Sequence, residues 1–430
     1  MDEKKRSVVS WWMYDWANSA FILTVAAAFF PVFFKSFWCT GVDATISTAR
    51  LGTGNAVAGL LVAVLSPLLG VIADAGGVKK KLLAAFMITG SLSTILLCFV
   101  PQGGWLVALL LFMVASVGYN GGNIFYDALL VDVAEKERMD WVSSVGYGVG
   151  YLGCGLLFAL NVVMVNQPLC FGLHDASSAV RISFVISALW WMIFSLPLFF
   201  NVKEARYRTP VPLGVAARNS IAQAVAVAKK IVLRRRLFIF MIAYWLYIDG
   251  VHTFVLMATD FGMSIGIKAT SLMIALLVVQ FVGVPSSLLF GWLAKSTGAH
   301  RMILVGIAIY IGVCGIGAFF LHTARGYLIL AGVTGVAQGG IQALSRSHFG
   351  KMIPHGEAAE YFGFFNIVNR FAVIFGPLVV GTVAVGSKMA GLPSMLASRV
   401  GMASVSVLFI AGAVMLIQSM NVKDSTADDR

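Results

Sequence analysis

"GVIADAGGVKKK", residues 70–81, closes one long apolar run and opens another. Residues 51–73 before it and 82–100 after it carry no charged side chain. A helix needs about 20 apolar residues to cross the hydrocarbon core of a bilayer. A short stretch holding Asp74 and Lys79, Lys80 and Lys81 between two such runs therefore marks a turn at a membrane surface. A related stretch, "GWLAKSTGAHR" (291–301), lies between two further apolar runs. The repeat predicts an internal duplication.

Counted outward from these two turns, twelve runs are long and apolar enough to span: 11–34, 51–73, 82–100, 105–130, 142–165, 180–201, 237–259, 270–294, 302–321, 326–347, 361–385 and 399–420. Composition agrees. Hydrophobic residues are 59% of the 430 and charged residues 12%, against about 25% charged in soluble domains. Two more echoes keep chain direction and the six-span interval. "WMYD" (12–15) returns as "WLYID" (245–249), and "YNGG" (119–122) as "AQGG" (337–340). The fold expected is all-α and integral to the membrane: twelve transmembrane helices in two parallel-related six-helix halves, with a site between the halves. The halves are read as 1–202 and 237–430, joined by a basic linker, 203–236.

The linker holds Lys203, Arg206, Arg208, Arg218, Lys229, Lys230, Arg234, Arg235 and Arg236 against one acid, Glu204. Residues 215–232 have helical periodicity and are read as an amphipathic helix on the anionic inner leaflet. Most of the 31 lysines and arginines fall on the linker side of the spans. The positive-inside rule then puts both termini and the linker in the cytoplasm. The net charge of +12 so reports membrane topology, and no nucleic-acid partner is expected. The apolar stretch after the charged start runs to Phe34, too long for a signal-peptide core, and is read as the first span. Of the five cysteines, Cys39 and Cys170 fall in predicted outer loops, the one pair placed for a disulfide.

A charged group at the middle of a membrane helix costs about 2.5–3.5 kcal/mol on insertion scales, so its placement carries information. Span 1 has Asp15 and Asn18. Span 4 has Asn120, Asn123 and Asp127 with Tyr126 beside them. Span 7 has Asp249 and His252, and span 10 has Gln338, Gln342, Ser345 and Arg346. Span 11 adds Asn366, Asn369 and Arg370. Each set lies on one helical face. Spans 3, 6, 9 and 12 have no charge in their cores. A single buried Asn or Gln usually glues helices together; clusters with a three-span period line a polar path instead. Trp11, Trp12, Tyr14 and Trp16 read as an interfacial aromatic belt, Asp132 as a solvated loop charge, and Arg346 as part gate, part lipid-facing snorkel.

The spacing Gly70, Asp74, Gly77, Lys79, Lys80 resembles the cytoplasmic loop after the second helix of the major facilitator superfamily. That resemblance implies a latch for one conformational state. In this reading Asp74 meets a basic group or caps a neighbouring helix, while the lysines stay at the inner membrane face. The second copy has Lys295 where the acid would stand. "YDWANSAF" (14–21), "YIDGVHTF" (247–254), "GGIQALSRS" (339–347) and "YFGFFNIVNRF" (361–371) with the later Gly376–Pro377 narrow it. Together they resemble the autophagy-related vacuole effluxer branch and its bacterial relatives, the unknown major facilitator family. His252 stands where that family suggests Asn. The eukaryotic members are associated with amino-acid export.

The function expected is therefore secondary active transport by alternating access, moving a small solute across the inner membrane, efflux-like and proton-coupled. Amino acids and other small zwitterions or anions are favoured, since Arg370 needs an anionic partner, either Asp127 or a substrate carboxylate. Carboxylates in a partly dehydrated path can exchange protons near neutral pH, which singles out Asp15, Asp127 and Asp249 with His252. A multidrug exporter is the first alternative. A membrane enzyme holding Mg²⁺ at Asp127 and Asp132 is the weaker one. There is no G-x-x-x-x-G-K-[ST] phosphate loop, and only His252 lies within a span where haem would need a pair. No cofactor or metal is expected; the partners are solute, protons and inner-leaflet lipids, and the protein is read as a monomer.

Overall fold

The structure is a computed structural model and describes residues 2–205, 211–264, 267, 269–320, 323–371 and 375–422. Arg206 and Arg208 of the linker lie outside the described residues. The fold is all-α, and among the described residues there is no strand. Among the described residues, twelve helices are long and apolar enough to cross a membrane. Spans 1 to 6 are Glu3–Trp38, Thr45–Gly76, Lys79–Phe99, Trp105–Val133, Met139–Asn166 and Ala176–Asn201. Spans 7 to 12 are Arg235–Leu256, Ser271–Thr297, Ala299–Gly317, Ala324–Met352, His355–Met389 and Met395–Asn421. A further helix, Leu213–Leu233, occupies the linker.

Local chemistry sets the helix ends. Asp43 accepts from the backbone N–H of Thr45 (2.8 Å) at the start of span 2, and Asp175 from that of Ser178 (2.7 Å) at the start of span 6. Both carboxylates accept from otherwise unpaired first-turn N–H groups. Those N–H donors hold both carboxyls below the usual aspartate range. Span 2 ends at Gly77, whose φ of 58° lies in the left-handed region that glycine enters without strain. Span 1 is α-helical to Ala20 and π-helical over Phe21–Phe29, an uncommon winding found mostly beside functional positions.

The chain forms two compact units. Unit 1 comprises Met1–Lys136, Val149–Ile221 and Pro354–Gly363; unit 2 comprises Glu137–Gly148, Ala222–Ile353 and Phe364–Arg430. Each unit therefore includes a short segment from the opposite end of the sequence: the start of span 11 in unit 1, the start of span 5 in unit 2. In unit 1, span 1 packs on span 6, span 2 on span 4, and span 3 on spans 4 and 6. In unit 2, span 7 packs on span 12, span 8 on span 10, and span 9 on spans 10 and 12. Each of these unit 1 pairings recurs six spans later in unit 2, which is the parallel duplication expressed as packing.

The cores are aromatic. Phe30 and Phe112 stack at 3.9 Å in unit 1, as do Tyr244 and Phe365 at 4.1 Å in unit 2. Leu60, Val64, Val107, Phe200 and Ile329 stay exposed, as a lipid-facing surface requires and a water-facing one would not tolerate in such numbers. Two sequence expectations fail here. Trp11 and Tyr14 are fully buried, Trp11 stacked on Tyr126 at 4.6 Å and Tyr14 tilted against it at 4.7 Å, and Trp16 stacks on Trp190; they form internal packing and not a belt, because rings from spans 1, 4 and 6 fill one another's gaps. The cysteines Cys39 and Cys170 are both free: Cys39 is buried at the end of span 1, whereas Cys170 lies exposed.

Candidate functional site

In unit 1 the polar faces of spans 1 and 4 meet. Asn18 Nδ2 donates to Asn123 Oδ1 at 2.8 Å, so one hydrogen bond joins two carboxamides from different spans. Asn120 turns back to donate to the Ser116 carbonyl of its own helix (2.7 Å). Tyr126 sits in the aromatic stack, and its carbonyl accepts from Trp11 Nε1 at 3.0 Å. Asp15 is buried and Asp127 half-buried, and both lie within electrostatic reach of the Tyr14 hydroxyl.

In unit 2 the sequence pairs Asp249 with His252 by spacing, but their partners differ. His252 Nε2 bonds Asn369 Oδ1 at 3.0 Å, close to Arg370. Asp249 is 1% exposed. Both its oxygens accept from the backbone N–H of Gly376 at 3.0 Å, and Oδ1 also accepts from Thr253 Oγ1 at 3.2 Å. Among the described residues it forms no ion pair. Span 10 faces this region with Tyr247–Ser345 (2.6 Å) and with Gln338, whose Oε1 is buried without a hydrogen-bond partner among the described residues. Gln342 is half-buried and Asn366 buried.

A second constellation lies in unit 1 around the loop that opened the sequence. Asp74 Oδ1 pairs with Lys79 Nζ at 3.2 Å, and Lys79 pairs with Asp132 Oδ2 at 3.3 Å; the three side chains are 1%, 3% and 0% exposed. Asp74 Oδ2 accepts from the Glu360 N–H at 2.9 Å, in the first turn of the helix Ala358–Phe371, where a negative charge is favoured. Gly70 permits this approach: a Cβ there would lie 2.2 Å from the Ala359 carbonyl oxygen. Glu204 accepts from the N–H groups of Lys79 (2.8 Å) and Lys80 (3.4 Å), so the linker's acid caps span 3. Lys80 Nζ donates to the Val202 carbonyl.

Two expectations are corrected by this cluster. Asp132 is no solvated loop charge, because Lys79 neutralises it inside unit 1. Nor does Lys79 stay at a membrane face; two carboxylates draw it inward.

Unit 2 has a counterpart. Asp140, at the start of span 5, accepts from Ser347 Oγ (2.7 Å) and pairs with Lys351 (2.5 Å). Arg346 is 3% exposed. It donates to Ser143 Oγ (3.0 Å) and to the Ser143 carbonyl (3.2 Å), and stacks 4.3 Å over Tyr147. It is therefore a buried clamp and not a snorkel, since span 5 supplies both acceptors and an aromatic face. Lys295 lies 4.9 Å over the Trp141 ring, replacing the acid-centred contact of the first copy by a cation–π one.

The sequence profile described as "Vacuole effluxer Atg22 like" matches residues 44–139 and 131–429. The chain belongs to this family. Among the relatives of this Atg22-like chain is the uncharacterized MFS-type transporter YxiO of Bacillus subtilis (strain 168), 41% identical over 409 residues that cover 95% of this chain and 93% of the relative. Autophagy-related protein 22 of Coccidioides immitis (strain RS) is 22% identical over 500 residues, covering 88% and 82%. Two solved structures share the major facilitator fold at 12% identity. The human organic anion transporter MFSD10 superposes with a TM-score of 0.70 over 97% of this chain and 100% of its own. The proton:xylose symporter XylE, bound to 6-bromo-6-deoxy-D-glucose, does so with 0.70 over 97% and 94%.

Sequence reading missed Asp140, Ser143, Ser347 and Lys351 in this Atg22-like chain. One local signal existed: Ser347 and Lys351 are four apart, hence on one face of span 10. Their acceptor is some two hundred residues away in sequence, and no window around span 10 contains it.

Proposed function

We propose that this MFS-type transporter is a secondary active carrier that moves a small solute by alternating access between its sequence halves, 1–202 and 237–430, with proton binding at Asp249 as the coupling step. The observation that carries the reading is Asp249 itself: a carboxylate 1% exposed, inside a membrane span, with N–H and hydroxyl donors but no ion-pair partner among the described residues. A charge so placed is costly and is a functional position by default. The one-faced polar sets on spans 1, 4, 7, 10 and 11 supply the path. Asn18, Asn123, Gln338, Gln342, Asn366, Asn369 and Arg370 are its solute-facing candidates, and Asp15 and Asp127 secondary proton sites.

The solved symporter XylE couples a sugar to protons by its own description, and the family is described as vacuole effluxers. Amino acids and related zwitterions or anions suit a path containing Arg370. Of Trp11, Trp12, Tyr14 and Trp16, the aromatics that could line a multidrug pocket, Trp11 and Tyr14 are consumed in packing. Asp132 is held by Lys79, which weighs against a magnesium enzyme.

The test is accumulation in proteoliposomes. Amino acids and small organic anions are expected to accumulate against their gradient when a proton gradient is imposed, and to stop when a protonophore collapses it. Movement of lipophilic cations alone would replace this reading with drug export. Orientation is tested separately. With both termini cytoplasmic, a single cysteine at exposed position 215 is expected to label from the inside and one at 388 from the outside; the reverse result inverts the topology.

A further inference from the structure

Asp249 reaches across to the backbone of span 11. Gly376 lies in its described helical segment Phe375–Met389, and Pro377 beside it has no N–H to offer. The Gly376 N–H finds its acceptor on another span. Its approach depends on the missing side chain: a Cβ at Gly376 would lie 1.9 Å from Thr253 Oγ1 and 2.7 Å from Asp249 Oδ1. Span 7 and the C-terminal part of span 11 are thus held together, inside unit 2, by a carboxylate that accepts every one of its described hydrogen bonds.

We propose that Asp249 is a proton-controlled clasp on span 11. Charged, it holds Gly376 of span 11 to span 7; protonated, it loosens that hold. A proton from water adds to one carboxylate oxygen and forms an O–H. That oxygen then donates, so the Gly376 N–H is left with the one neutral carbonyl oxygen, and a bond to a neutral acceptor is about half as strong as one to a charged carboxylate. Proton binding and the clasp therefore compete, and by linkage each weakens the other. Release of this segment is the differential contact that a proton needs in order to bias a conformational equilibrium.

The charged and titratable groups on the elements packed against span 7 do not substitute for this role. His252 on span 7 and Arg370 on span 11 lie at the Asn369 contact. Arg346 of span 10 is held by Ser143 and Tyr147. Tyr310 of span 9 stacks on Phe409, Cys314 follows one turn later on span 9, and Arg399 belongs to the first turns of span 12. None of them forms an ion pair with Asp249 among the described residues.

The clasp rests on the proton-coupling reading, and the experiment separates the two. In a background without the native cysteines, spin labels at Leu256 and Val385, both exposed, report the distance between span 7 and the C-terminal part of span 11 as pH is varied. Infrared difference spectra of the same protein, with Asp249→Asn as reference, report the carboxyl band of Asp249. The clasp predicts two distance populations that exchange with the midpoint of that band, and Asp249→Asn fixed at the acid-side distance at every pH. Gly376→Ala is expected to show the acid-side distance throughout. Thr253→Ala, which adds no atom and removes one donor, is expected to move the midpoint to higher pH. A band that titrates while the distance stays constant overturns the clasp and leaves the proton site standing. No Asp249 band at any pH overturns both. A distance that still follows pH in Asp249→Asn assigns the motion to another group and overturns the clasp.

Discussion

Asp249→Asn is expected to abolish solute accumulation driven by a proton gradient while solute-for-solute exchange continues. Asparagine has nearly the shape of aspartate and, like the protonated acid, offers the Gly376 N–H only a neutral acceptor, so the fold around span 7 is retained while the charged clasp is lost. It cannot take up a proton at physiological pH. A gradient of one pH unit supplies about 1.4 kcal/mol per coupled proton, or about tenfold in solute concentration. Removing the proton site should therefore bring the ratio of accumulation with and without such a gradient from about ten per coupled proton to one. Radiolabelled solute flux in proteoliposomes gives both readouts on one preparation. Accumulation that survives in the variant assigns proton binding elsewhere, with Asp15 and Asp127 next to be replaced. His252→Asn is the informative control. His252 bonds Asn369 and not Asp249, so that change is expected to alter solute affinity or pH response while leaving driven accumulation measurable.

Hydropathy made the membrane architecture legible because crossing a bilayer constrains every residue of a span at once. Twelve apolar runs and three directional echoes were enough for twelve helices in a duplicated arrangement, and the packing of spans 1–6 recurs in spans 7–12. Individual charges were harder to read. Lys79, Asp132 and Arg346 all stand near the ends of apolar runs, where the cheapest local solution is to reach water or lipid headgroups. Their actual partners come from other helices: Lys79 lies between two carboxylates, and Arg346 lies on Ser143 and Tyr147 of span 5. Burial of a charge is settled by such distant pairings, and no window along one helix contains them. The i, i+3 spacing of Asp249 and His252 had a related weakness. It correctly puts both on one face of span 7, yet that face meets span 11 at Asn369 and at Gly376, and spacing alone cannot distinguish the two contacts.

Lys79→Ala is expected to be among the most destabilising single substitutions in the chain. The cluster of Asp74, Lys79 and Asp132 carries one net negative charge, and that charge lies against the N-terminus of the helix Ala358–Phe371 through the Glu360 N–H. Removing the ammonium leaves two carboxylates that are 1% and 0% exposed with no cation between them. Breaking a buried pair from one side costs about 3–5 kcal/mol, because the remaining charge is left uncompensated. Adding Asp132→Asn to Lys79→Ala should recover most of that loss, since the double variant restores the original net charge and keeps only the carboxylate that the helix N-terminus already serves. Thermal unfolding of purified protein compares the three forms. A Lys79→Ala protein as stable as wild type would show that water reaches the cluster and that the ion pairs contribute little. Equal losses in the single and double variants would assign the cost to lost packing around the lysine stem. Recovery in the double variant alone identifies charge balance as what the Gly70–Lys80 loop provides to unit 1, and it sets the background in which Asp74→Ala can be assayed for transport rate without the fold failing first.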